Sequence, residues 1–440
     1  MFCPYKNSYL QLVVAMNPRV INKAVDEAMQ VKNLDLHTEQ PAAQRLESMQ
    51  PSLFAPHVDI TRAQLGFGRI GLRLLNRDLH STDPLKQLQA LHSLLDQVQI
   101  SENAMFLIDL NVVYRLVDIM FHSDAVVREK VCLNLSHLAS YYQGRLRILS
   151  KPDIVDNLMT LILKDRKEIR YAAAYTLRSL SRDRCACATM MENREIVENL
   201  LKVIRNDHTG IVILYLKILE NLAEWNPVRA LKANAFQIMM KLFENSDPRI
   251  VSIAMDCMSQ LCRHHIGQIL ADENDLTFVL MSHLTSPSID IIISAVGVMA
   301  WSTLTTRSKW RAKERCLELT NLLVILCDSN KPILQLRCMQ VLINLCDCPD
   351  IRNHLERYRL KHISNVYIRT HEQWDGTSVT RNYEEETGHN YRTMCIEGVE
   401  TVKNDYGDNE LVINVHSYLQ TVTDLKQQLI KAILWKSYKD

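Results

Sequence analysis

VVYRLVDIMFHSDAVVREKVCLNLSHLASY, residues 112–141, decides the fold. On both sides of the polar break at His122, Ser123 and Asp124, apolar residues fall at i, i+3, i+4 and i+7. That is the spacing of two amphipathic helices joined by a short turn. Residues 154–181, IVDNLMTLILKDRKEIRYAAAYTLRSLS, repeat the plan, as do the stretches that begin at Gly71, Ile196, Phe236, Leu276 and Leu317. The turns sit at Asp83, Asp124, Asp165, Asp207, Asp247, Pro287 and Asp328, a period of about 41 residues. A unit of this size cannot bury its apolar face alone, so stacked copies must share one continuous core and present one long surface.

The period predicts an all-α chain, an armadillo/HEAT-type α-solenoid of about seven to eight repeats, over residues 58–350. Composition agrees: only 11 Gly and 12 Pro are present and aromatic residues make up 6%, which favours helices. Residues 1–57 contain EQPAAQRLESMQPSLFAP, whose Gln, Pro and Ser content predicts a partly ordered N-terminal extension. Residues 351–390 end in the aperiodic HEQWDGTSVTRNYEEETGHN and are expected to form an irregular insertion. Residues 391–440 return to helical periodicity and are expected to supply capping helices for the last repeat.

Bulk properties narrow the function. Lys plus Arg (51) nearly cancels Asp plus Glu (50), so the net charge of +1 supplies no basic footprint for general nucleic-acid binding. The apolar run Leu10 to Met16 is broken by Gln11 and does not read as a secretory signal, and the run Ile291 to Trp301 is too short to span a bilayer. A soluble intracellular chain is expected, with no membrane partner and with its 12 cysteines reduced. Cys132, Cys257, Cys262, Cys316, Cys327 and Cys338 fall at helical core positions and read as small buried hydrophobes.

Candidate chemistry is sparse. GFGRIG, Gly66 to Gly71, fits a dinucleotide-binding loop, but such a loop needs a strand before it and a helix after it. Here the approach APHVDITRAQL predicts a helix already running from Arg62 to Leu79, with the glycines permitting close packing. Cys346 and Cys348 flank Asp347 at a helix end and are the nearest approach to a metal site, without the paired spacing that zinc requires. No arrangement for nucleophilic catalysis and no phosphate-binding loop is present. The chain is therefore read as no enzyme, with no catalytic, cofactor or metal residues and no small-molecule substrate.

Recognition is expected on the groove formed by the last helix of each copy. The residues just before the final apolar anchors form a column, His137, Ser179, Asn221, Gln260, Ala300 and Asn344. His137, Ser179, Asn221, Gln260 and Asn344 are the candidate partner-binding residues, because such side chains can pair with the backbone of an extended peptide. Nuclear-import adaptors add Trp four residues earlier, whereas those positions here hold Leu133, Tyr175, Lys217, Asp256, Val296 and Gln340, which disfavours that class. The run RSKWRAKER, Arg307 to Arg315, is either solvated charge or a contact for an acidic partner.

Residues 59–95, DITRAQLGFGRIGLRLLNRDLHSTDPLKQLQALHSLL, resemble the opening of the radial spoke head protein fourteen family, also called the rhabdoid tumour deletion region protein family. The resemblance continues through copies of matching length to about residue 350 and resumes at LKQQLIKAILWK. It implies an armadillo-repeat component of the radial spoke in the axoneme of motile cilia and flagella, sperm flagella included. The implied protein is a scaffold of the cytoskeleton whose partners are other spoke subunits. The alternative is a soluble peptide-binding adaptor of the catenin or importin class.

Overall fold

The structure, a computed structural model, describes residues 62–63, 68–193, 195–329, 331–368, 399–403, 409–413 and 415–435. The N-terminal extension 1–57 lies outside them, as do most of the expected insertion and the last five residues. Contacts divide the chain into Met1–Gln64 and Leu65–Asp440. The second unit is an α-solenoid of armadillo type.

Repeats two to eight each hold three helices where the periodicity showed two, and repeat one is described by its second and third. The short first helices are Ser101–Asp109, Tyr142–Leu149, Arg184–Met190, Pro227–Lys232, His265–Glu273, Thr306–Ala312 and Pro349–Tyr358. Second helices are Gly68–Leu79, Val112–Asp118, Ile154–Lys164, Ile196–Ile204, Ala235–Leu242, Leu276–His283, Cys316–Cys327 and Leu360–Asn365. Third helices are Pro84–Gln97, Ala125–Leu138, Lys167–Ser181, Thr209–Trp225, Pro248–Cys262, Ile289–Ser302, Pro332–Leu345 and Val415–Leu434. Among the described residues this makes eight repeats, each third helix packing on the next. Leu91, Leu135, Leu177, Leu219, Met258, Met299 and Leu342 fill the seam between them and are buried. Full burial of one such side chain stabilises the stack by about 1.5–3 kcal/mol.

The turn acids start the third helices in two ways. Asp83, Asp124 and Asp247 are N-caps and accept from the backbone N–H groups of Leu85 (3.0 Å), Val126 (2.9 Å) and Arg249 (3.0 Å). Asp165 and Asp207 stand one residue before the N-cap and take a guanidinium from the preceding repeat. Arg128 donates to Asp165 at 2.7 and 2.8 Å, and Arg170 to Asp207 at 3.0 and 2.8 Å. Those pairs hold Asp165 below the usual carboxylate range through Arg128. Burial works against Asp207, yet Arg170, the His208 N–H and the Tyr215 hydroxyl together keep it low as well.

Where a third helix turns into the next first helix, the chain crosses itself tightly. A Cβ on Gly144 would collide with the Leu138 carbonyl, and the same crossing recurs at Gly267 and Leu261.

Three expectations need correction. The helix expected from Arg62 starts at Gly68, whose φ of +59° is left-handed, and Arg62 and Ala63 precede it without helical structure. The insertion expected over 351–390 is helical in its described start: Ile351 and Leu355, one turn apart, bury the helix Pro349–Tyr358, and Ile363 anchors the next one, while 369–390 lie outside the described residues. Among its described residues, the segment 391–440 holds one helix preceded by two antiparallel strands, β1 (Val399–Lys403) and β2 (Asn409–Ile413), paired Val399 to Ile413 and Lys403 to Asn409. The strands lie between the second and third helices of repeat eight. Val422, Leu429 and Ile433 then seat the helix Val415–Leu434 against repeat seven, with Lys426 Nζ donating to Val366 O at 2.7 Å.

Candidate functional site: the third-helix face

The third helices carry the polar column read from the sequence, and stacking turns most of it inward. Ser179, Asn221, Gln260 and Asn344 are buried, at 6%, 6%, 1% and 8% exposure, and only His137 keeps a half-open side chain. Burial lowers the pKa of His137. Asn344 Nδ2 donates to Ala300 O at 2.9 Å and to Thr303 Oγ1 at 3.2 Å, both in repeat six. Asn221 Nδ2 donates to Ser181 Oγ of repeat three at 2.9 Å, and Gln260 Oε1 accepts from Arg263 at 3.4 Å. Asn221 and Asn344 thus bond across repeat boundaries, whereas Gln260 bonds within its own repeat.

Further bonds across repeat boundaries escaped the sequence reading. Asn134 Nδ2 donates to Leu91 O at 3.1 Å, Thr176 Oγ1 to Cys132 O at 2.8 Å, and the Cys257 thiol to Leu216 O at 3.2 Å. Arg337 donates to Ile293 O. Five of the six boundaries from repeat one to repeat seven thus have a polar side chain from a third helix bonded to the adjacent third helix. A signal was available in the sequence: Asn134, Thr176 and Cys257 all stand four residues before the anchors Leu138, Leu180 and Leu261. Within this set, Asn134 Oδ1 and Asn221 Oδ1 have no hydrogen-bond partner among the described residues.

The basic run Arg307 to Arg315 forms the first helix of repeat seven and the short 3₁₀ turn Lys313–Arg315 after it. Its charges face acids of this same chain. Lys309 pairs with Asp347 at 2.6 Å, Arg311 with Asp275 and Lys313 with Asp350, while Arg315 lies over the Phe278 ring. Three of its five cations thus tie repeats six, seven and eight together.

At GFGRIG, the described residues from Gly68 onward form the second helix of repeat one, followed by another helix. Cys346 and Cys348 are buried free thiols, and burial pushes Cys346 up to about 12. Among the described residues no group of three or more His, Cys, Asp or Glu side chains converges as a metal site would require. No described helix is long and apolar enough to cross a membrane.

No protein-family model matches this chain and no curated protein matches it. Among solved structures, an engineered protein from the Northeast Structural Genomics Consortium shares the fold, with a TM-score of 0.60 and 16% identity over 83% of this chain and 89% of its own. A designed armadillo repeat protein in complex with the peptide (KR)4 aligns with a TM-score of 0.49 and 13% identity, over 52% of this chain and 99% of its own. A computationally designed armadillo repeat protein for modular peptide recognition aligns with the same score and coverage at 14% identity.

Proposed function

We propose that this chain is a non-enzymatic scaffold that holds other proteins at fixed spacings. The observation that carries this reading is the run of third-helix bonds across five of the six boundaries from repeat one to repeat seven, reinforced by the Arg128–Asp165 and Arg170–Asp207 pairs. A stack tied this way bends little, and a stiff solenoid presents its contacts in register. The resemblance of residues 59–95 supports a place for that scaffold in the ciliary or flagellar axoneme, as a radial spoke component that binds other spoke subunits. The test is to tag the chain in ciliated or sperm-forming cells, isolate axonemes and crosslink it to its neighbours. Retention in axonemes with crosslinks to spoke subunits is expected; recovery only in the soluble fraction overturns the axonemal reading.

A further inference from the structure

Three cations of 307–315 are held by acids of the same chain, and the unopposed basic surface lies elsewhere. It is on the edge where second helices turn into third helices, in repeats three and four. Lys164, Arg166, Lys167 and Arg205 stand exposed there, and none of them forms an ion pair among the described residues. The turn acids do not offset them. Arg128 and Arg170 reach Asp165 and Asp207 from the preceding repeats, so each of these acids already holds a guanidinium. Over 163–169 and 204–210 the remaining acid is Glu168, against four cations.

The third helices that start at this edge, Lys167–Ser181 and Thr209–Trp225, add to the same field. Their N-caps, Arg166 and His208, make no side-chain cap bond, whereas Asp83, Asp124 and Asp247 place a carboxylate at that point in repeats one, two and five. A helix carries about half a positive charge at its N-terminus, and here no capping carboxylate covers it. Neighbouring helices lie about 8–10 Å apart, roughly one Debye length at physiological salt, so the cations of the two repeats act as one patch. The patch ends after two repeats, because the next turns expose Glu244, Asp290 and Asp328. Phe121 and Leu163, at the ends of the second helices of repeats two and three, are exposed on the same edge. They offer apolar contacts that the side chains of a polypeptide can use and a phosphate backbone cannot.

We propose that this edge of repeats three and four docks an acidic, partly apolar segment of a partner protein. That the partner is a protein rests on the scaffold reading; its acidic character rests on the edge itself. An extended chain advances about 3.3–3.6 Å per residue, so about six residues cover the two turns. The contact is solvent-exposed and therefore weakens as salt rises.

Fluorescence anisotropy of the full chain with a labelled peptide of four Glu-Glu-Leu units tests the edge. Lys167→Glu combined with Arg205→Glu is expected to weaken binding at least about tenfold, and Lys167→Gln combined with Arg205→Gln by less. Raising salt from about 50 to about 200 mM should weaken the wild type as well, and the matching Gln-Gln-Leu peptide should not bind. Arg357→Glu combined with Lys361→Glu makes the same change of net charge on exposed residues of repeat eight and should leave the affinity unchanged. Circular dichroism confirms that each variant is folded. The proposal is overturned by no binding to the wild type, by equal affinity of the edge variant and the wild type, or by an equal loss in the repeat-eight variant. Tighter binding of a poly(U) oligonucleotide through the same four cations overturns it in favour of a nucleic-acid edge. None of these outcomes bears on the axoneme crosslinks, which test the scaffold reading separately.

Discussion

Replacing Arg170 by Met tests whether the turn acids act as bolts between repeats. The change keeps most of the aliphatic stem and removes three bonds: two to the Asp207 carboxylate, at 3.0 and 2.8 Å, and one to Asp165 O at 3.0 Å. Asp207 would keep only the His208 N–H at 2.8 Å and the Tyr215 hydroxyl at 3.1 Å. Removing one partner of a fully buried pair costs about 3–5 kcal/mol. The carboxylate here is 6% exposed but the guanidinium 26%, and solvent screening on the open side reduces the cost to about 2 kcal/mol, a factor of about 30. The assay is urea unfolding followed by far-UV circular dichroism, for Arg170→Met, Asp207→Asn and the double variant. A coupling of about 1–2 kcal/mol is expected at pH 7. Asp207 is held below its unfolded value, so its contribution is present above about pH 4 and is lost as the pH falls through the folded value. The gap between wild type and Arg170→Met should therefore narrow on acidification. Additive single effects at pH 7, or a gap that stays constant into acid, would refute the bolt.

Two further outcomes follow from burial and close approach. Gly144→Ala must push its new methyl into the Leu138 carbonyl and is expected to cost more than the roughly 1 kcal/mol that Ala gains over Gly in a helix, so calorimetry should show a lower Tm than wild type; an unchanged or higher Tm contradicts the crossing geometry. Exposed Cys185 should react with a disulfide reagent at pH 8 in the folded protein, whereas Cys132 and Cys346, which burial raises to about 12, should react only when denaturant is added; mass spectrometry of the labelled peptides reads the order.

The sequence by itself determined the repeat, the helical class and the starts of the third helices at Asp83, Asp124 and Asp247. All three are local properties: apolar spacing along one helix, and an acid within reach of an N–H two residues on. The first helices were illegible because six to ten residues give barely two turns of periodicity. The polar column was legible as a column, but its direction was not. Whether Asn344 meets solvent or the Ala300 carbonyl depends on how a helix 44 residues away stacks against it. The same holds for Asp165 and Asp207, which read like the capping acids and serve as ion partners once Arg128 and Arg170 arrive from the preceding repeat. The eighth repeat, too, closes only in three dimensions, when Val415–Leu434 docks on repeat seven beyond an interruption of about fifty residues. A chain encodes its helical faces within a few residues, whereas the partners of those faces lie one period away, and only stacking brings them together.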